Sequence, residues 1–259
     1  MKEAGSDVHR AINVSLVAFY GDKPLGLRSL IERLHIYLAT HQLLQDKFIP
    51  YQIEQVHGTI IGCEGLKNQK GIISKWFKEL RQETKYIDFD LVNYLRHQVD
   101  LPINIRFGGY DRNFNYNFLS RNQHLYNRSF QLQSAVHNTI PVVIGWSWEN
   151  ERVTSAMDNL RRQFQQFNLL HKYHGTPDAV DNDFYLRLGT IKAQLSPAEI
   201  DSIAAEIRNL LKTSPISIPV NLNNLAVVKY QDLQLTPATT KVLPVEKITA
   251  CQLRQLYSD

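Results

Sequence analysis

Cysteine is nearly absent from this sequence, which has only Cys63 and Cys251 among its 259 residues. Two thiols cannot build a disulfide framework, and their positions do not match the paired spacing of a zinc site. The nine histidines are scattered along the chain and form no metal-ligand pattern either. We therefore expect reduced thiols in a cytoplasmic protein that uses no metal and no cofactor.

Long hydrophobic runs are also missing. No stretch approaches the roughly 18 apolar residues that span a bilayer, and residues 1–7 lack the apolar core of a signal peptide. The net charge of +4 is too small to indicate DNA binding, although it permits an anionic ligand. We expect no membrane partner and no DNA partner, and nothing in the sequence indicates an oligomeric state.

Glycine-rich phosphate motifs are the third absence, since neither G-x-G-x-x-G nor a Walker motif occurs, and this removes the usual nucleotide-binding folds. The patterns that are present mix helices with runs of adjacent strands, which predicts an α+β protein with antiparallel sheets. We predict strands over 11–20, 51–62, 101–109, 129–134, 141–148, 184–191, 224–235 and 241–245. We predict helices over 27–45, 72–80, 88–97 and 151–171, and a further helix that begins at Ser196.

The strand predicted over 51–62 carries the strongest chemical signal. Successive side chains of a strand point to opposite faces, so His57 and Thr59 share one face while Gly58 and Ile60 share the other. An imidazole beside a hydroxyl suits a phosphate, because the first moves a proton and the second holds an oxygen. A histidine hydrogen-bonded within a sheet is an equally weighted interpretation of His57.

A similar stretch, Leu188-Gly-Thr-Ile191, occurs later in the chain. It keeps the glycine, threonine and isoleucine of the first stretch, but Leu188 stands where His57 stood. The predicted elements around the two stretches also follow a similar order. This similarity indicates an internal duplication, with Thr190 as the counterpart of Thr59.

On these two stretches the chain resembles the 2H phosphoesterases, the LigT and cyclic-phosphodiesterase-like proteins. That family carries two His-x-Thr/Ser motifs, which face each other across a cleft between pseudo-symmetric lobes. The resemblance implies a single bilobal domain over 1–259, with antiparallel sheets lining the cleft and helices outside. The lobes would be 1–100 and 101–259, and the central strands are candidates for sharing between them.

The resemblance also implies an activity. In such a family one histidine acts as general base and the other as general acid on a phosphodiester, commonly a 2′,3′-cyclic phosphate of RNA or a nucleotide. The catalytic residues here would be His57, Thr59 and Thr190. Leu188 cannot transfer a proton, and loss of one general acid or base lowers a rate by about 100- to 10,000-fold.

Three functional hypotheses follow from this departure. The first is a hydrolase of reduced or altered activity. The second is a non-catalytic relative that binds a nucleotide or an RNA end. The third is an unrelated α+β domain in which the shared motif is accidental.

Several other residues are candidates for ligand binding or for the missing proton donor. Lys192 shares the predicted strand face of Thr190, and His174 and Tyr185 lie near the second stretch. His171 and His137 are further candidates for the proton donor. The plainer interpretations are a solvated lysine for Lys192, loop or turn residues for His174 and His137, and a helix-end cation for His171. Arg187 lies on the predicted face opposite Thr190, so we do not expect it to bind phosphate.

The segment 111–127 is rich in asparagine, arginine and aromatic residues and has no clear period. One interpretation is a loop that holds a nucleotide by stacking and charge. The other, which we favour, is a long connection whose aromatic side chains cover the core. The residues concerned are Arg112, Phe114, Tyr116, Phe118, Arg121, His124 and Tyr126.

Overall fold

The structure is a computed structural model that describes residues 11–258, so residues 1–7, considered above for a signal peptide, lie outside it. The strands are β1 (Val14–Ala18), β2 (Phe48–Pro50), β3 (Gly58–Gly62), β4 (Gly65–Asn68), β5 (Gly71–Ser74), β6 (Ile103–Phe107), β7 (Phe130–Ser134), β8 (Thr139–Glu149), β9 (Arg152–Val153), β10 (Asp183–Arg187), β11 (Gly189–Ile191), β12 (Ile216–Val220), β13 (Leu225–Tyr230) and β14 (Thr240–Pro244). The helices are α1 (Leu25–Thr40), α2 (Lys75–Arg81), α3 (Leu91–His97), α4 (Leu125–Arg128), α5 (Ala156–Gln163), α6 (Pro197–Lys212) and α7 (Ala250–Gln255).

Most strands form one large, curled sheet in the order β12-β6-β8-β10-β3-β1-β13-β14, with β7, β9 and β11 also paired to β8 and β2 paired to β11. Each of these pairings is antiparallel. The β4–β5 hairpin forms a separate two-stranded sheet. The predicted α+β class with antiparallel sheets is confirmed.

The main core lies between one face of this sheet and the long helices. Helix α1 buries a stripe that includes Leu27 and Leu34, and α6 buries Ile203 and Ile207, at the three- and four-residue spacing of an amphipathic helix. Helix α6 starts after Ser196 as predicted and has a capping box, because Ser196 and Glu199 each accept a hydrogen bond from the other's backbone N–H. The opposite face of the central strands lines the cavity described below.

The predicted helix over 72–80 is partly wrong. Ile72 and Ile73 lie in β5, which pairs with β4, and the helix begins only at Lys75. The turn between the strands is fixed by Asn68, whose side-chain oxygen accepts from the backbone N–H groups of Lys70 and Gly71. Adjacent β-branched residues favour a strand, and this preference prevails over the helical spacing of the apolar positions.

The helix predicted over 151–171 is shorter than expected. Residues 152–153 pair with β8 in a hairpin, α5 occupies only Ala156–Gln163, and a 3₁₀ turn follows over Phe164–Phe167. The chain then leaves the helical path at Asn168, which has a left-handed conformation. The apolar spacing therefore overstated the length of the helix.

The strand predicted over 184–191 is interrupted at Leu188. Its N–H donates to the Pro141 carbonyl at 3.0 Å, and its own carbonyl accepts from Tyr51 N–H at 3.0 Å and from His35 Nε2 at 2.7 Å. The chain leaves β10 at this point, and β11 pairs with β2 instead of continuing beside β3. The alternation of faces therefore cannot be extended from Arg187 to residues beyond Leu188.

Among residues 11–258, no helix combines the length and the apolar composition that crossing a bilayer requires.

Candidate active site

The candidate site lies where β3 and β10 meet, at the single residue pair Gly58–Leu186. Because the strands are antiparallel and their side chains alternate, the residues on either side of this pair point to the opposite face of the sheet. These residues are His57, Thr59, Tyr185 and Arg187, and all four line one cavity of about 230 Å³. The pairing of two strands thus gathers four polar side chains from distant parts of the sequence.

Gly58 allows this close approach. A Cβ built at Gly58 would lie 2.2 Å from Cζ of Phe184, a ring that is fully buried on the core side. A real Cβ could not occupy that space without displacing the ring, so a glycine is required where β10 crosses. The glycine in the His57-Gly-Thr59 stretch therefore has a packing role that the sequence did not reveal.

His57 is held in one tautomer. Its Nδ1 lies 2.8 Å from the Gln55 carbonyl, which only accepts hydrogen bonds, so Nδ1 carries the proton and Nε2 has a lone pair. No group within residues 11–258 hydrogen-bonds Nε2. Burial, together with the charges of Lys23 and Arg187, lowers the His57 pKa to about 4, although the Gln55 contact opposes this shift. The imidazole is therefore neutral at pH 7 and able to accept a proton.

The surroundings of His57 are positively charged. The Lys23 ammonium donates to the carbonyls of Phe19 and Gly21, each at 2.8 Å, and burial lowers its pKa to about 8. Arg187 forms no ion pair with a carboxylate within residues 11–258, so its guanidinium is available to a ligand. Two cations beside a neutral imidazole favour an anion at this end of the cavity.

Tyr185 supplies a neutral hydroxyl. Its hydroxyl donates to the side chain of Gln133, and burial raises its pKa to about 12 despite the nearby Arg187. A phenol with such a pKa stays protonated at pH 7 and acts as a hydrogen-bond donor.

Beyond the Gly58–Leu186 pair, β3 and β10 are joined by Arg161 of α5. Its buried guanidinium donates to Thr59 O at 3.1 Å and Ile60 O at 2.9 Å on one side. On the other side it donates to Asp181 O at 2.8 Å and Asp183 O at 2.9 Å. One side chain thereby donates to four backbone carbonyls.

The carboxylates of Asp181 and Asp183, which also line the cavity, already have hydrogen-bond partners within the protein. Asp183 accepts from Ser120 Oγ at 2.5 Å, Trp146 Nε1 at 2.7 Å and Arg128 Nη2 at 2.9 Å. Burial alone would raise the pKa of Asp181, but its hydrogen bond with His171 and the Arg161 charge outweigh this and lower it. Asp181 therefore acts as a structural anion rather than as a proton donor, and Asp183 is occupied by its three hydrogen-bond donors.

His171 lines the cavity but is already committed. Its Nε2 lies 2.8 Å from Asp181 Oδ2, and burial together with the Arg161 charge lowers its pKa to about 3 despite that contact. It is a neutral donor to Asp181 and not a free proton-transfer group.

Of the residues predicted from the sequence, His57, Thr59 and Tyr185 are brought together in the cavity. Arg187, which the sequence argument set aside, joins them. That exclusion took the face of Thr190 as the phosphate-binding face, and Thr190 does not line the cavity.

Among the other candidates, Thr190, Lys192, His137 and His174 do not line this cavity. Thr190 pairs with Ile49 between β11 and β2, so the expectation that it faces Thr59 across a cleft is not met. Lys192 is exposed beyond the end of β11, and His137 is exposed between β7 and β8. His174 is fully buried, with Nε2 2.8 Å from Asp158 Oδ1. Leu188 is buried in the main core.

The segment 111–127 mostly follows the favoured interpretation. Tyr116 and Phe118 pack against a second apolar cluster built around Trp146. Arg121 is the exception, because it lines the cavity and its guanidinium lies 3.8 Å from the centre of the Tyr173 ring. No periodic pattern could have identified Arg121, since it lies in a turn before α4 begins.

Within residues 11–258, no group of three or more histidine, cysteine, aspartate or glutamate side chains is arranged to hold a metal ion.

No protein-family model matches the chain, and no curated protein sequence matches it. The crystal structure of TT0787 of Thermus thermophilus is similar at a TM-score of 0.42 and 11% sequence identity, over 90% of this chain and 94% of that one. We draw no conclusion from a likeness this low.

Proposed function

We propose that this protein is a 2H phosphoesterase-like protein that binds a phosphodiester, a 2′,3′-cyclic phosphate of RNA or of a nucleotide. The observation that carries the proposal is the convergence of His57, Thr59, Tyr185 and Arg187 on one cavity beside the Gly58–Leu186 pair. Together they offer a neutral base, two hydroxyls and a guanidinium, which are the groups that phosphoryl transfer requires.

The arrangement supports the bilobal, pseudo-twofold fold of that family. A local twofold axis through the Gly58–Leu186 pair relates His57 to Tyr185 and Thr59 to Arg187. The second motif would then be Tyr185-Leu186-Arg187, and the stretch around Thr190 would not be part of it. The protein would then have two motifs related by a twofold axis, as in that family, but with a tyrosine and an arginine in the second motif.

The chemistry assigned to these residues is hydrolysis. His57 Nε2 accepts a proton from a water molecule as its oxygen attacks phosphorus, and the bond from phosphorus to the leaving sugar oxygen breaks. Arg187 binds the two non-bridging phosphate oxygens, and Thr59 donates to one of them. Tyr185 turns its hydroxyl away from Gln133 and gives its proton to the leaving oxygen, and the proton held by His57 then restores the phenol through solvent.

A non-catalytic binder is the second candidate, and the pKa of His57 favours it. A general base works best with a pKa near the operating pH, and a value of about 4 makes His57 a weak base at pH 7. Since His171 is committed to Asp181, the cavity holds no second free imidazole. Both candidates share the same phosphate site and differ only in turnover.

The test is incubation with a 2′,3′-cyclic nucleotide and with a short RNA ending in a cyclic phosphate, followed by phosphorus NMR. Ring opening that disappears in His57→Ala but persists in His137→Ala supports the enzyme, because His137 is exposed and outside the cavity. Chemical-shift changes without ring opening support the binder. Neither turnover nor binding would sink the proposal and leave only the fold.

A further inference from the structure

At the end of the cavity away from His57, a carboxylate faces the same space. Glu64 Oε2 accepts from Trp76 Nε1 at 2.7 Å, and Oε1 accepts from the Tyr230 hydroxyl at 3.4 Å. All three side chains line the cavity that holds His57 and Thr59. Two neutral donors thus fix the carboxylate, and within residues 11–258 no lysine, arginine or histidine forms an ion pair with it.

The backbone of β3 makes room for this carboxylate. A Cβ at Gly62 would lie 2.2 Å from Glu64 Oε2, so the side chain folds directly over the glycine. The register against β1 shifts after Val17–Thr59, so that Leu16 pairs with Ile61 and Ser15 with Gly62. This bulge re-aims the strand and brings Gly62 to the same face as Thr59.

The cavity therefore has two chemically different ends. Thr59 and Gly62 are three residues apart along β3, which is at most about 10 Å. The end at His57 and Arg187 favours an anion, whereas the Glu64 carboxylate accepts hydrogen bonds. A matching ligand carries a phosphate at one end and paired hydrogen-bond donors at the other.

The carboxylate has capacity left for such donors. A carboxylate offers about four acceptor positions, and Trp76 and Tyr230 use two of them. Guanine presents adjacent N1–H and N2–H groups, which meet both oxygens of a carboxylate. Adenine and cytosine place an acceptor nitrogen beside their amino group, and uracil places carbonyls on both sides of its N–H, so each of them meets the carboxylate with a repulsive lone pair.

We infer that the cavity selects guanine, with Glu64 accepting from the base edge while the phosphate lies at His57, Thr59 and Arg187. This inference rests on the proposed function, because the phosphate end orients the ligand. Trp76 and Tyr230 act as positioning residues that hold the carboxylate in place.

The test is calorimetric titration with the 3′-monophosphates of guanosine, adenosine, cytidine and uridine, which have no cyclic phosphate to open, and with inorganic phosphate. A bidentate contact to one base discriminates by about ten- to one-hundred-fold, so the guanosine compound should bind that much more tightly than the uridine compound. In Glu64→Gln the amide presents a donor in place of one acceptor, and the guanosine-to-uridine ratio should fall close to one. Glu79→Gln is the matched control, because Glu79 is exposed on α2 and outside the cavity.

The outcomes separate this inference from the proposed function. Equal affinity for the four nucleotides, or a guanine preference that Glu64→Gln leaves intact, overturns the inference and leaves the phosphate site standing. Competition by phosphoethanolamine as strong as that of the guanosine compound also overturns it, since Glu64 would then select a cation. Binding of neither nucleotide nor phosphate removes the proposed function and the inference together. The affinities of the four nucleotides are also compared in the unmodified protein, so the inference is tested even if Glu64→Gln fails to fold.

Discussion

Arg161 donates to the carbonyl oxygen of Thr59 at 3.1 Å, so a buried side chain of α5 holds the backbone of the strand that carries the candidate site. The same guanidinium reaches the carbonyl of Asp183 at the start of β10 at 2.9 Å. These strands share only the Gly58–Leu186 pair, and Arg161 supplies the hydrogen bonds that a longer ladder would have made. The position of Thr59 in the cavity therefore depends on a residue far away in the sequence.

Replacement of Arg161 by methionine should lower the free energy of unfolding by about 3–5 kcal/mol. The change removes the buried cation beside the Asp181 carboxylate and the donor that four backbone carbonyls share. Urea denaturation followed by circular dichroism measures the loss. Arg152→Met is the matched control on exposed β9 and should change stability by less than about 0.5 kcal/mol. Similar stability for the two variants would contradict the structural role of Arg161.

Gly58→Ala should destabilise the protein by about 1–3 kcal/mol through overpacking against Phe184. The control is Gly175→Ala, because a Cβ at Gly175 meets no heavy atom within 4 Å. Thermal unfolding of both variants gives the comparison. An alanine tolerated equally at both positions would mean that β10 does not approach β3 as closely as described.

Arg187→Met should weaken the binding of a cyclic nucleotide by ten-fold or more, because a charge-assisted contact to phosphate is worth about 1.5–3 kcal/mol. Stability should change little, since Arg187 has no ion pair within residues 11–258. Lys192→Met tests the competing expectation from the sequence and should leave affinity unchanged, because Lys192 does not line the cavity. The reverse ranking in a titration would move the phosphate site to β11.

The pH dependence of stability should report the low pKa of His57. An unfolded histidine takes up a proton near pH 6.5, whereas folded His57 does so only near 4, so stability is full above pH 6.5 and falls as the pH drops to 4. The contribution is at most about 3 kcal/mol. His57→Gln should flatten the slope between pH 4 and 6.5 without abolishing it, because His171 has a lowered pKa as well. His137→Gln should keep the original slope, and a slope unchanged in His57→Gln would contradict the assignment.

The part of the site predicted from the sequence is the part that depends on local alternation. His57 and Thr59 share a face because they are two residues apart in an extended segment, and the structure agrees. Arg187 was missed because its face was inferred relative to Thr190, across Leu188. The register against β8 shifts by one residue between the pairs Arg187–Val142 and Ile191–Thr139, and a shift set by a strand distant in the sequence leaves no local signal.

The fold class was predictable for a related reason. Adjacent strand patterns and amphipathic spacing record which residues are buried, and that was enough for an antiparallel α+β protein. The same patterns do not record register, so neither the bulge that re-aims Gly62 nor the single contact between β3 and β10 could be foreseen. Glu64 escaped notice because its place over Gly62 depends on that register.

The meeting of β3 and β10 has a mechanical consequence. The part of the sheet that ends at β3 and the part that begins at β10 are joined by one residue pair and by the buried Arg161 guanidinium. The sheet should therefore open most easily between β3 and β10. A ligand in the cavity contacts both β3 and β10 and should hold the two strands together. Amide hydrogen exchange should accordingly slow on β3 and β10 together when the cavity is filled, while exchange at the remote edge strands β12 and β14 stays the same.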